Sequence, residues 1–261
     1  MATPLINGYS APLRFKKNLK PGAVHPLDGA PIEVVGQMGD LIDNGQVHSF
    51  DHFVNYAGPL AEGSAGGYTL VGTTGTATLA HTGEDHGKIT VLTGTTEDNN
   101  FVFRNDAHTV NYATDKLILW AVKLSITDAN DMEFYAGLAV VAADWVATLP
   151  TDGFFFEKAE TATNFDFHVR ASGTSTENAA DFSGLTVGDG EDVVLVIRIE
   201  NGHITPYVWH SDTWYTGTTV LSSDANVPAT TADLEAQVAA ETGNAGAEGA
   251  EIDWIYVSKE V

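Results

Sequence analysis

Cysteine is absent from the 261 residues. A disulfide framework, thiolate metal sites and a thiol nucleophile are thereby excluded. Bases are scarce: twelve Lys and Arg stand against thirty-five Asp and Glu, for a net charge of −23. Arg14, Lys16, Lys17 and Lys20 lie in residues 1–27, which hold no acid, so every acid falls in the remainder. A body this negative repels phosphate backbones and anionic membrane surfaces, and neither nucleic acid nor a membrane is an expected partner. Long apolar runs are also missing. The longest, Leu138–Leu149, is interrupted by Asp144 and is too short to cross a bilayer. Residues 1–13 carry Pro4, Gly8 and Pro12 and no continuous apolar stretch, so no secretory signal is expected. What remains is one large domain or at most two small ones, exposing roughly 11,000 Å² when folded against roughly 40,000 Å² as an open chain.

The first 45 residues differ from the rest. Five of the nine prolines (Pro4, Pro12, Pro21, Pro26 and Pro31) fall there, with glycines between them. Proline at that density removes backbone donors and denies a regular helix or a central strand. The segment reads as an extended arm. Leu5, Ile6, Tyr9, Leu13, Phe15 and Leu19 give it apolar punctuation for docking on a neighbour or on its own body. From residue 46 onward the chain reads as strands. Ile118, Trp120, Val122, Leu124 and Ile126 alternate with Leu117, Leu119, Ala121, Lys123 and Ser125. Phe165, Phe167 and Val169 alternate with Asp166, His168 and Arg170, and Val193, Leu195, Ile197 and Ile199 oppose Arg198 and Glu200. Met132, Phe134, Leu138 and Val140 make a fourth face. One helix is predicted, over 231–242, capped by Thr230 or Thr231, with Leu234 and Val238 on one face and Gly243 as its stop. A dozen short strands with one helix predict an all-β fold, a two-sheet antiparallel sandwich over 46–261.

Val193 to Trp209 contains Asn201-Gly202 between two alternating runs, a type I′ hairpin signal. Pro206 cannot donate to a ladder, which predicts an edge strand or a bulge there. Glu251 to Ser258 reads as a closing strand that pairs near the first, Phe50 to Tyr56. This ordering resembles the jelly-roll sandwich of the concanavalin A-like lectin/glucanase superfamily over residues 46–261. An arm ahead of an acidic, cysteine-free jelly roll also resembles bacteriophage virion proteins that decorate capsids. That second resemblance implies a structural virion protein on the outer capsid surface. Its partner would be the major capsid protein, reached through Leu5, Ile6, Tyr9, Leu13, Arg14, Phe15, Lys16, Lys17, Leu19 and Lys20.

Resemblance to the glucanases implies a strand carrying Glu-x-Asp-x-Glu, with three carboxylates on one face. Glu251-Ile252-Asp253 supplies two, but Ile255 stands where the proton donor belongs. The reading is a closing strand with two outward acids, and no catalytic residue is assigned. Legume-type lectins use a similar strand to hold calcium and a transition metal, followed by Asp, Asn and His. After Asp253 this chain offers only Tyr256, Ser258, Lys259 and Glu260. Asp128-Ala-Asn130-Asp131 and Asp189-Gly-Glu-Asp192 have the composition of calcium loops but lack the spacing, and read as polar turns. His48 and His52 would stand roughly 13 Å apart on a strand, too far to share an ion. His81 and His86 with Glu84 and Asp85 make a loose cluster. His168 and His203 read as solvent-facing. No metal and no cofactor is expected.

Trp209-His-Ser-Asp-Thr-Trp214-Tyr215 brackets a tight loop with rings, and such rings are stacking platforms for pyranose faces. The opposing reading places Trp209 in the core and Trp214 over the sheet edge. Two functions are therefore carried forward, with a glycoside-active enzyme of divergent site as a third reading. The first is capsid decoration through the arm, with self-association as a homo-oligomer a second possible contact. The second is a carbohydrate-binding module that recognises host surface glycans with Trp209, Trp214 and Tyr215.

Overall fold

The computed structural model describes residues 47–259 apart from 52, 54–57, 59, 83–86, 143, 146 and 179–181. The arm and its ten named residues lie outside this range, as do His52, Glu84, Asp85 and His86. Seventeen strands and no helix make up the described residues. They are β1 (Val47–Asp51), β2 (Gly63–Ala65), β3 (Tyr68–Val71), β4 (Thr78–Thr82), β5 (Lys88–Leu92), β6 (Asn100–Asn111), β7 (Ile118–Ile126) and β8 (Met132–Ala139). There follow β9 (Gly153–Lys158), β10 (Asp166–Ala171), β11 (Thr174–Asn178), β12 (Asp192–Glu200), β13 (His203–His210), β14 (Thr213–Thr216), β15 (Val220–Leu221), β16 (Asp233–Thr242) and β17 (Gly249–Lys259).

These form an antiparallel jelly-roll sandwich. One sheet runs β14-β13-β12-β7-β17-β5-β4, with β1 also on β17 and β15 also on β13. The other runs β11-β10-β9-β8-β16-β6-β3-β2. Period-two alternation sends Ile118, Trp120, Val122, Leu124 and Ile126 into the space between the sheets. There they meet Phe134, Phe154, Phe156, Phe165 and Phe167 from the facing sheet. The closing strand pairs with the first as the sequence predicts, Phe50 opposite Tyr256. Asn201 and Gly202 take φ of 50° and 75°, as a type I′ turn requires.

Residues 231–242 are not helical. Asp233–Thr242 is β16, an interior strand between β8 and β6. Leu234 and Val238 share a face in either conformation, because a spacing of four is close to one helical turn and is also an even number. The deciding signal is Leu234, Ala236, Val238 and Ala240, all buried in the core at period two. Two ladders outweigh the helix propensity of Ala, Glu and Gln. Gly243 is a point of close approach, since a Cβ there would sit 2.5 Å from the Asp131 carbonyl.

Pro206 is neither on an edge strand nor at a bulge. β13 is flanked by β12 on one side and by β14 and β15 on the other. Gly217 N–H donates to the Pro206 carbonyl at 2.9 Å. In a strand the nitrogen and carbonyl of one residue point the same way, so the missing donor faces the break between β14 and β15. The ring thus removes no ladder bond.

Candidate functional site

The Trp209–Trp214 loop is a second two-residue hairpin. Ser211 and Asp212 take φ of 48° and 60°, joining β13 to β14 with Trp209 directly opposite Trp214. Both rings are half-buried, and both pack on a cluster on the outward face of the nine-stranded sheet. That cluster holds Leu119, Ala121, Val196, Tyr207, Trp254 and Tyr256. Tyr215 follows Trp214 by one residue, so it faces the other way and packs on the main core. The structure therefore joins Trp209 to Trp214 and separates Tyr215 from them.

Beside the pair, at the Asn201–Gly202 end of the same face, lies a cleft of about 540 Å³. Arg198, Glu200, Asn201, His203, Thr205 and Tyr207 line it, with Thr216 and Thr219. Its shape follows from strand phase. Ile197, Ile199, Ile204 and Val208 point into the core, so the intervening residues of β12 and β13 face outward. Arg198 is ion-paired with Glu200 two residues on. The Thr205 and Thr219 hydroxyls share a hydrogen bond of 2.9 Å. Tyr207 both lines the cleft and belongs to the aromatic cluster, so polar groups and rings form one continuous surface. Sequence reading missed these lining residues: Asn201-Gly202 was legible as a turn, and the register that gathers its neighbours was not.

The acidic loops are spent on structure. Asp128 Oδ1 accepts the N–H groups of Asn130 (3.0 Å) and Asp131 (3.1 Å), and Asp189 Oδ1 accepts that of Ala129 at 2.8 Å. Glu191 Oε2 accepts the Gly188 N–H at 2.7 Å and contacts His210 Nε2 at 2.9 Å. Those two interactions, the backbone one first, hold its carboxyl below the usual range. Asp192 pairs with Lys123 at 3.0 Å. Near Asp128, Asp131 and Asp189 sits the fully buried ammonium of Lys158, which donates to the Met132 and Ala159 carbonyls. The donor set does not fit the metal centre of a legume-type lectin. Among the described residues, no three His, Asp or Glu are grouped to hold an ion. His81 instead places Nε2 2.5 Å from the Phe53 carbonyl.

Glu251 pairs with Lys88 at 3.5 Å, and Asp253 with Lys123 at 2.9 Å. The ladder shifts register between Ile252 and Trp254. The bulge reverses the strand's phase, so Ile255 packs in the core and Trp254 and Tyr256 face outward. Strict alternation from Glu251 through Ile255 therefore does not hold.

On the outward face of the other sheet, Trp145 covers Tyr135 and Phe155. Its Nε1 donates to the buried Gln237 amide at 2.9 Å, and Gln237 donates to the Ala139 carbonyl at 2.8 Å. This cover corrects the reading of His168, which is buried, stacked on Phe155 and 2.7 Å from Glu157. His203 is exposed, as the sequence predicts. Along the same face, burial, together with Asp98, Glu133 and Asp144, pushes the Glu241 carboxyl up to about 7, against a hydrogen bond from Asn100. Burial likewise raises Glu133, Glu235 and Glu248. A raised carboxyl binds more protons folded than unfolded between the two pKa values, so stability rises as pH falls through that window. Glu241→Gln should therefore stabilise the protein at pH 8, with the gain vanishing below pH 4.5. Urea titrations of both proteins at the two pH values check this, and an equal gain at both would refute it.

No family model matches the chain, and no curated protein matches its sequence. Solved structures do. A protein of unknown function from Shewanella oneidensis MR-1 aligns with TM-score 0.56 at 12% identity, covering 93% of this chain and 97% of that one. Basic winged bean lectin, in a structure with Tn-antigen, gives 0.53 at 10% identity, over 82% and 98%. Peanut lectin gives 0.52 at 12% identity, over 82% and 97%. The fold is thus the concanavalin A-like jelly roll of legume lectins. None of these likenesses supports a capsid partner.

Proposed function

We propose that the protein is a carbohydrate-binding module that holds a pyranose glycan on the outward face of its nine-stranded sheet. The observation that carries this is the continuity of the cleft with the paired rings of Trp209 and Trp214. Sugars present hydroxyl edges and apolar C–H faces. Arg198, Glu200, Asn201 and Thr216 supply donors and acceptors for the edges, and the half-buried Trp209 and Trp214 supply ring surface for the faces. The cleft volume suits a ligand of one or two sugar rings. The lectin fold of the neighbours supports the reading, and one of them is named with a bound glycan antigen.

The full chain, screened on a glycan array and titrated calorimetrically, should bind a pyranose glycan without cleaving it. Trp214→Ala should weaken that binding about tenfold, the loss expected for one stacked ring at roughly 1–1.5 kcal/mol. Tyr215→Phe should leave it unchanged, because that ring faces the core. Absence of glycan binding, or binding indifferent to both Trp209→Ala and Trp214→Ala, would overturn the proposal.

A further inference from the structure

Along β12 the outward residues run from Val194 and Val196 at one end to Arg198 and Glu200 at the other. Across the ladder Val194 faces Trp209, while Arg198 faces Thr205 and Glu200 faces His203. The row of rings and the row holding Arg198 are thus four residues apart, about 13 Å along the strand. A ligand stacked on the rings therefore meets Arg198 and Glu200 with its next sugar unit.

Among the lining residues, Arg198 is the one permanent cation and Glu200 the one permanent anion. They lie on the same side of β12 and are ion-paired with each other, at 15% and 27% side-chain exposure. A pair drawn this far out of water is costly to break, because the partner left behind is uncompensated. The guanidinium is therefore committed to Glu200, and the two charges cancel. A sugar hydroxyl donates and accepts at once, so it can meet guanidinium N–H groups and carboxylate oxygens without separating them. A carboxylate or sulfate on the sugar has no such entry. It competes with Glu200 for Arg198, and it approaches a chain whose net charge is −23.

We propose that the cleft selects uncharged glycans, and that Glu200 is the positioning residue for this choice, holding Arg198 away from acidic sugars. The inference rests on the glycan reading and adds to it the charge class of the ligand. Discrimination of this kind comes from what the site denies to the wrong ligand as much as from what it offers the right one.

The test applies the full chain to an array printed with galactosides, glucosides and mannosides beside their uronate and sialylated counterparts. The pH is 8, above the ordinary range of an imidazole. The unmodified protein should bind a neutral glycan at least about tenfold more tightly than its acidic counterpart. Glu200→Gln keeps the length of the side chain and one acceptor while removing the charge. It should strengthen uronate binding about tenfold, the effect of one hydrogen bond to a charged group, and change neutral binding by less than about threefold. Adding Arg198→Gln should abolish the gain, which a general loss of negative charge would not require. Three results would overturn the inference while leaving glycan binding intact: an unmodified protein that prefers acidic glycans, a folded Glu200→Gln variant with no gain, or a gain that survives Arg198→Gln. Silence of both proteins on every printed glycan would instead reject glycan binding, and this inference with it.

Discussion

Phe156→Ala is expected to destabilise the protein by about 3–5 kcal/mol, the cost of truncating a fully buried aromatic that neighbours cannot replace. Phe156 stands at the junction of the two sheets. Its ring lies 6.4 Å from Trp120 of the facing sheet, 5.3 Å from Phe167, 6.3 Å from Phe165 and 6.1 Å from Phe182. Those residues sit on three separate stretches of chain, held by their own ladders or turns, so none can move inward to fill the space. Urea unfolding should show the loss as a lower midpoint with an unchanged slope. In a thermal scan the midpoint should fall by roughly 10 °C. A loss below about 1 kcal/mol would mean that the sheets do not stack through this ring.

Lys158→Ala should be comparably severe, at about 3–5 kcal/mol, because it removes a buried cation and leaves its partners behind. Burial lowers the Lys158 pKa, while Asp128, Asp189, Asp131 and Glu133 pull it upward, and burial prevails. The ammonium also satisfies the Met132 and Ala159 carbonyls at 3.2 and 3.3 Å. Lys158→Met separates volume from charge. It keeps most of the packing and loses the donors, so about 1–3 kcal/mol is expected. If the two substitutions cost the same, packing volume is immaterial at this site and the lost ammonium carries the whole effect; if Lys158→Met costs nothing, only volume matters.

The long strands were legible because their alternation is local. Ile118 to Ile126 and Val193 to Ile199 state their inward faces without reference to the rest of the chain. Asn201-Gly202 declares its turn for the same reason. What escaped were features decided across the fold. Leu234 and Val238 fit a helix or a strand equally well, and only β6 and β8 decide between them. The bulge at Asp253 is set by pairing to β7, more than a hundred residues earlier. His168 looks exposed until Trp145 is placed above its neighbour Phe155. The cleft is the clearest case. Arg198, Thr205, Tyr207 and Thr219 have nothing unusual about them in sequence, and they meet only through register and a shared outward phase.

The two strands that complete the sandwich come last in the chain and lie in the interior of their sheets. β16 separates β8 from β6, and β17 separates β7 from β5. During synthesis, β4 to β15 therefore emerge as half-sheets with raw edges facing a vacant slot. Neither sheet can become continuous until residues 233–259 have left the ribosome. Folding of the whole therefore waits on those residues, with most of its pairings non-local and slow to close. In that interval the open flanks of β6, β7 and β8 are available to strands of other nascent chains. A net charge of −23 makes like chains repel and so opposes that pairing.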